Sequence, residues 1–290
     1  MRRASKRSTT ERETAVNIAA KTVLSLAGIA GAAAFLLAPG RASEEQKKTF
    51  RGARFAHRGL YDADQTVPEN SLPAFRLAVE AGYGIELDVQ LSEDGQVVVF
   101  HDDTLNRMCL PDEETPVRVD SRTYDELSAL RLAASDERIP LFTEVLALVG
   151  ARVPLLVELK TGPRRRELCE KTTALLRAYR GDFCVESFDP RIVLWYRQNA
   201  PEILRGQLAE PPRYYVKDEK MPAAEGFVLG NTLLNAAARP QFIAYRIGDV
   251  PLPVRAAEAM GALRFRWTSR ETGDAPDADA LIFEHYRPKD

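Results

Sequence analysis

ARFAHRGLYDADQTVPENSLPAFRLAVEAGYGIELDV, residues 53–89, reads as strand, loop, helix and strand. ARFAH (53–57) and GIELDV (84–89) are short apolar runs of strand length. Between them Ser71 is placed to cap a helix over SLPAFRLAVEAG (71–82), apolar side chains recur at helical spacing, and Gly82 stops it. A strand–helix–strand unit of this kind joins parallel strands.

The alternation continues outward from this unit. Strands are predicted at VVVFH (97–101), PLLVELK (154–160), DFCVESF (182–188), ILRGQL (203–208), GFVLG (226–230), LRFRWT (263–268) and ALIFE (280–284). Helices are predicted at TYDELSALRLA (123–133), FTEVLALVGA (142–151) and RRELCEKTTALLRAY (165–179). The alternation argues for an α/β chain with a parallel sheet, and the length of 53–290 suits one (β/α)8 TIM-type barrel or two small domains. Nine strands compete for eight barrel positions. The connection QLSEDGQ (90–96) is too short for a crossover helix, and Asp94-Gly95 within it is a turn signal. One of the nine is thus an extension of a neighbour or no barrel strand. Residues 231–256 offer no readable element.

The N-terminus differs in kind. TVLSLAGIAGAAAFLLA (22–38) carries no charge and as a helix spans about 25 Å. Carried back past a snorkelling Lys21 to Ala15, the run is long enough to cross a bilayer. Arg2, Arg3, Lys6, Arg7 and Arg12 precede it, which puts the N-terminus in the cytoplasm. The expected organisation is a basic leader (1–14), a transmembrane helix or signal anchor (15–38), a linker (39–52) and the barrel (53–290). The barrel would then be a single-pass membrane protein's extracytoplasmic domain. A signal peptide cut near Gly40-Arg41-Ala42, releasing a secreted domain, is the main alternative, and a buried soluble helix the other.

Composition narrows the partners. A net charge of -2, with both signs interspersed and no basic stripe in the soluble part, argues against nucleic acid. Cys109, Cys169 and Cys184 form no CxxC pair, so neither a disulfide framework nor a structural zinc site is expected.

The informative residues lie at strand ends. Glu86 and Asp88 are two apart on a predicted strand and share a face. Two carboxylates there repel one another and lose hydration unless a cation joins them, and oxygen donors suit Mg2+ or Ca2+. Glu158 and Lys160 repeat the spacing inside an apolar run. An ordinary buried ion pair is the plainer reading of either pair taken alone. His57 and His101, two of three histidines, each end a predicted strand, and in (β/α)8 enzymes the C-terminal strand ends carry the chemistry. Two such imidazoles can act as general acid and base near neutral pH. Arg58 offers a planar fork for phosphate oxygens.

The ordered set His57-Arg58-Gly59, Pro68-Glu69-Asn70-Ser71, Glu86-Leu87-Asp88-Val89, Asp94-Gly95, His101-Asp102 and Glu158-Leu159-Lys160 resembles the glycerophosphodiester phosphodiesterase family. Ser187-Phe188 and Trp267-Thr268 fit that family's later strands. The resemblance implies a barrel of the phosphatidylinositol-phospholipase-C-like type and metal-dependent hydrolysis of glycerophosphodiesters to glycerol 3-phosphate and an alcohol. It implies that Glu86, Asp88 and Glu158 hold one divalent cation, Mg2+ or Ca2+. It makes His57 and His101 the acid/base pair and Arg58 and Lys160 the phosphate ligands. Glu69, Asn70 and Trp267 are implied at the substrate site. The chain departs from the family where Glu284 stands for the usual closing Asp, where Ser269-Arg270 follows Trp267-Thr268, and in a short segment over 109–121. These departures bear on the alcohol, not on the catalytic set. A lysophospholipase D-like enzyme acting on membrane lipids and a non-catalytic membrane-tethered module are the competing readings.

Overall fold

The computed structural model describes residues 28, 31–218 and 220–288. Nine strands form among them: β1 (Ala53–His57), β2 (Gly84–Leu91), β3 (Val97–Val99), β4 (Leu155–Leu159), β5 (Phe183–Ser187), β6 (Arg205–Ala209), β7 (Phe242–Arg246), β8 (Leu263–Ser269) and β9 (Ala280–Phe283). Eight run parallel in the order β1-β2-β4-β5-β6-β7-β8-β9, and β9 pairs with β1 to close the barrel. The helices that follow are α1 (Glu44–Lys48), ahead of the barrel, then α2 (Leu72–Glu80), α3 (Tyr124–Ala129), α4 (Phe142–Val149), α5 (Arg165–Ala178), α6 (Pro190–Asn199), α7 (Pro212–Lys217), α8 (Ala223–Gly230), α9 (Asn235–Ala238) and α10 (Leu252–Ala259). Residues 270–279 join β8 to β9 without a helix.

The ninth strand resolves the surplus. Val97–Val99 is antiparallel to the far end of β2, with Val99 opposite Val89, across the Asp94-Gly95 turn. His101 therefore does not end a parallel barrel strand, as expected, but follows a hairpin arm returning towards the barrel. Two further expectations fail. Residues 226–230 are helical, inside α8, because Pro222 and the helix-favouring Ala223-Ala224-Glu225 start a helix that carries through them. The true seventh strand, FIAYR, lies in the unread stretch, because a short run buried in all but its last residue shows no periodicity.

Period-two alternation sorts the barrel side chains. Ala56, Ile85, Leu87, Val157 and Val185 pack outward against Phe75, Phe142 and Leu168 of the helices. Phe55, Leu156, Cys184, Phe242, Phe265 and Ile282 pack inward. Gly206 lets the Phe242 ring enter this interior: a Cβ there would lie 2.0 Å from the ring. Two residues further along the same inward rows come His57, Glu158, Glu186, Trp267 and Glu284. The interior is apolar towards the N-terminal ends of the strands and ionisable at the other mouth.

Residues 39–52 close the N-terminal end. Gly40 N donates to Pro240 O (2.8 Å), Gln241 Nε2 to Arg41 O (2.9 Å), Gln46 Nε2 to Glu202 O (3.0 Å) and Gly52 N to Asp279 O (2.7 Å). Pro240, Glu202 and Asp279 each just precede a barrel strand. Phe50 is buried against Phe55, ring centroids 6.4 Å apart, and that stack continues to Phe265 and Phe242. The predicted leader, 1–14, lies outside the described residues, as does most of the predicted span 15–38. Its end is helical over 31–37. Among the described residues no helix is long and apolar enough to cross a membrane.

Candidate active site

The segment after β1 is the scaffold of the mouth. Arg58 and Asn70 adopt left-handed backbone, φ 55° and 54°, which non-glycine residues rarely hold without support. The support is direct. Asn70 N donates to Arg58 O (2.9 Å), Arg58 N to Glu86 Oε2 (2.9 Å) and Asn70 Nδ2 to Asp88 Oδ2 (2.8 Å). The turn between β1 and α2 is thereby bolted to the carboxylates of β2.

Glu86, Asp88 and Glu158 each offer an oxygen within 4.8 Å of the others, and all three are buried. Asp88 and Glu158 are register partners on β2 and β4. Lys160 Nζ lies 2.9 Å from Glu158 Oε1 and 3.2 Å from Asp88 Oδ1, and Arg58 Nε lies 3.7 Å from Asp88 Oδ2. Burial, then the charges of Asp88 and Glu158, push the Glu86 carboxyl well above its ordinary range. Burial also acts to raise Asp88, but Lys160, His101, Arg58 and the Asn70 hydrogen bond together hold it low. Three buried carboxylates against two cationic side chains leave excess negative charge, and the all-oxygen donor set fits one hard divalent cation.

The two predicted histidines flank this cluster in matching arrangements. His57 Nδ1 lies 2.6 Å from Glu284 Oε2, which also accepts from Tyr61 OH (3.0 Å), while Arg270 Nε donates to Glu284 Oε1 (2.8 Å). His101 Nδ1 lies 2.6 Å from Asp102 Oδ1. Burial and then Arg58 lower the His57 pKa; burial and then Lys160 push His101 down to about 4. Burial opposes ionisation of Glu284 and Asp102, yet hydrogen bonds from the imidazoles and the neighbouring arginines keep both far below the usual carboxylate range. An ionised carboxylate only accepts, so each imidazole carries its proton on Nδ1 and leaves Nε2 free as an acceptor.

Glu69 is tied to both sides. Its Oε1 accepts from Arg58 Nη1 (2.7 Å) and Arg107 Nη2 (2.7 Å), and Arg107 Nε donates to Asp102 Oδ2 (2.6 Å). A continuous chain of ion pairs so links Arg58 to His101.

Of the ten residues expected at the site, nine come together: His57, Arg58, Glu69, Asn70, Glu86, Asp88, His101, Glu158 and Lys160. Trp267 lies on β8, in the inward layer that also carries His57, Glu158, Glu186 and Glu284. Its Nε1 donates to Ala244 O (3.1 Å), its ring is edge-on to Phe188 at 5.7 Å, and Arg246 lies 5.8 Å away. Sequence reasoning passed over Asp102, Arg107, Glu186, Tyr61, Arg270 and the contact of Glu284 with His57. Asp102 directly follows His101 and Glu284 ends a strand, so both carried a positional signal; Arg107 and Arg270, in loops, carried none. Glu186 is a fourth buried carboxyl at this mouth, opposite Glu158 in register, and its Oε2 has no hydrogen-bond partner among the described residues. Burial, then Glu86, Glu158 and Asp88, push it well up.

The model of the glycerophosphoryl diester phosphodiesterase family matches residues 57–285. The chain belongs to that family. Its members are phosphodiesterases, and among this member's curated relatives is YqiK of Bacillus subtilis, 40% identical over 127 residues, which are 40% of this chain and 49% of that protein. A glycerophosphodiester phosphodiesterase of Caldanaerobacter subterraneus is 39% identical over 115 residues, 37% of this chain and 44% of that one. Both matches span less than half of the relative's length. The glycerophosphodiester phosphodiesterase of Thermotoga maritima superposes with a TM-score of 0.60 at 25% identity, covering 79% of this chain and 93% of its own. A phosphodiesterase of Oleispira antarctica, solved with its product sn-glycerol-3-phosphate, gives a TM-score of 0.63 at 22% identity over 80% and 92% of the two chains, a likeness of fold. The barrel of this family member is thus the family's barrel.

Proposed function

We propose that the chain hydrolyses glycerophosphodiesters to glycerol 3-phosphate and a free alcohol, with one divalent cation and two histidines. The observation that carries this reading is the pair of imidazoles, each held at Nδ1 by its own carboxylate, flanking three convergent carboxylates. Named relatives act in the same sense: the Caldanaerobacter protein is a glycerophosphodiester phosphodiesterase, and the Oleispira enzyme was solved with sn-glycerol-3-phosphate.

Glu86, Asp88 and Glu158 would hold the cation, Mg2+ or Ca2+. When bound, it neutralises the phosphate and the charge that builds on its equatorial oxygens. Arg58 and Lys160 grip the same phosphate from the chain. One imidazole takes the proton of the nucleophile at Nε2, and the other, which gains a proton at Nε2 from solvent once the bound phosphate's negative charge favours its cationic form, hands that proton to the leaving alcohol. Glu284 and Asp102 hold the rings in the required tautomer and stabilise their charged forms. Glu69 and Asn70 fix Arg58 and Asp88, and Trp267 walls the alcohol side. Residues 15–38 anchor the chain in a membrane, with the barrel on the extracytoplasmic side.

A second reading, action on lysophospholipids, is favoured by exposed apolar side chains after β6 and β7: Val216 on α7 and Leu252 on α10, 43% and 79% exposed.

The test is release of glycerol phosphate from glycerophosphocholine by the full chain. His57→Ala and His101→Ala should each lower turnover by about 100-fold or more. Excess chelator should abolish activity and Mg2+ or Ca2+ restore it. Full activity in chelator removes the metal role, and near-normal rates in either mutant remove the histidine assignment.

A further inference from the structure

The helical segment 31–37 is clasped, not merely connected. Arg239 Nη1 donates to Phe35 O (2.7 Å) and Ala38 O (2.6 Å), and its guanidinium lies 4.6 Å from the Phe35 ring centroid. It satisfies carbonyls that the helix end would otherwise leave bare. Two residues on, Gly40 N is bonded to Pro240 O, and a Cβ on Gly40 would lie 2.3 Å from Arg239 O, so the chain enters the barrel rim without slack. The next residues follow the N-terminal rim to Phe50, which seals it. Every one of these contacts is made at the N-terminal end of the barrel strands. The histidines and carboxylates stand at the opposite end, a strand of five residues or roughly 17 Å away. Phe35 and Leu36, 67% and 50% exposed, are the large apolar side chains left uncovered where the charge-free run meets the barrel.

We propose that the barrel stands on the membrane by its N-terminal end with the catalytic mouth turned away from the lipid, so that its substrates are dissolved glycerophosphodiesters and not lipids held in the anchoring bilayer. This rests on the anchor and the activity proposed above, and it decides between the two substrate classes left open there. An apolar lip at the mouth can receive a monomer from solution. It cannot reach acyl chains in a bilayer gripped at the other end of a rigid barrel.

The experiment uses the full chain reconstituted in phosphatidylcholine vesicles that carry a headgroup quencher. In a Cys109→Ser background a fluorescent label is put on Lys48→Cys, at the end of α1 in the arm ahead of β1, or on Ala63→Cys, in the loop between β1 and α2 at the mouth. We expect strong quenching of the first and little of the second, with dissolved glycerophosphocholine hydrolysed at least tenfold faster than vesicle-held lysophosphatidylcholine. A flexible Gly/Ser insertion of twenty residues between Ala38 and Pro39, reaching about 25 Å, should raise lysolipid turnover by letting the mouth turn to the bilayer. Equal quenching at the two positions, or preferred cleavage of the vesicle-held lipid by the uninserted chain, overturns the inference. A chain that stays off the vesicles overturns it through the anchor. Labels as expected with neither substrate cleaved uphold the orientation and overturn the catalytic reading.

Discussion

His57 and His101 are set by their second ring nitrogens. Glu284 and Asp102, each 2.6 Å from an Nδ1, decide which nitrogen is left as the open acceptor. Glu284→Gln and Asp102→Asn keep the shape but let the ring adopt the other tautomer. Each should lower kcat by about 100-fold or more with little change in KM, by analogy with a carboxylate-oriented histidine elsewhere. Initial-rate kinetics check this, and a mutant that loses only KM removes the orienting role. His101 also makes stability pH-dependent. An unfolded imidazole titrates near pH 6.5, the folded one at about 4. Between those values the unfolded chain holds the extra proton, so this group's contribution to stability falls as pH drops through that window. The metal-free wild type should therefore lose more Tm between pH 6.5 and 4 than metal-free His101→Gln. Equal losses would show that His101 titrates normally.

At the scale of elements, placement is done by alternation and one hairpin. On β1, β4, β5 and β9 an apolar inward residue precedes an ionisable one by two positions (Phe55 and His57, Leu156 and Glu158, Cys184 and Glu186, Ile282 and Glu284), so packing the lower layer aims the upper one. Gly206 shows how tight that layer is. A methyl there meets the Phe242 ring at 2.0 Å, and Gly206→Ala should cost about 2 kcal/mol, read as a fall in Tm of roughly 4–8 °C. An unchanged Tm would mean that the ring moves aside freely. The strands whose inward polar residues follow apolar ones were readable, which is why Glu86, Asp88 and Glu158 could be found in the sequence. The failures have local causes. GFVLG carries strand-like residues but is propagated as helix from Pro222, and FIAYR is buried on both faces and shows no period. Strand length and spacing located His101, whereas its approach along an antiparallel arm depends on the Asp94-Gly95 turn. Trp267, expected at the substrate site, stands on β8 beside Ala244, Phe188 and Arg246.

For the molecule as a whole, the mouth concentrates like charge that folding alone does not relieve. A cation bound at Glu86, Asp88 and Glu158 binds the folded state only, and at one hundred times its Kd it should add about 2.7 kcal/mol, read as a rise in Tm of roughly 5–11 °C. Glu86→Gln removes one repelling carboxylate while keeping an acceptor for Arg58 N. Its metal-free Tm should exceed the wild type's by roughly 2–4 °C, about 1 kcal/mol, and the cation-dependent rise should vanish. Calorimetry with and without Mg2+ or Ca2+ reads both, and a preserved rise in the mutant means that the ion binds elsewhere. Phe50, at the far end, has a different consequence. The stopper it forms is carried by the arm ahead of β1, so the position of a proteolytic cut matters more than whether a cut occurs. Clipping near Ala42 would shed the proposed anchor and leave the cork in the bottle, giving a freely diffusing enzyme with an intact interior. Clipping after Phe50 would open the floor of the barrel to water and cost the fold itself.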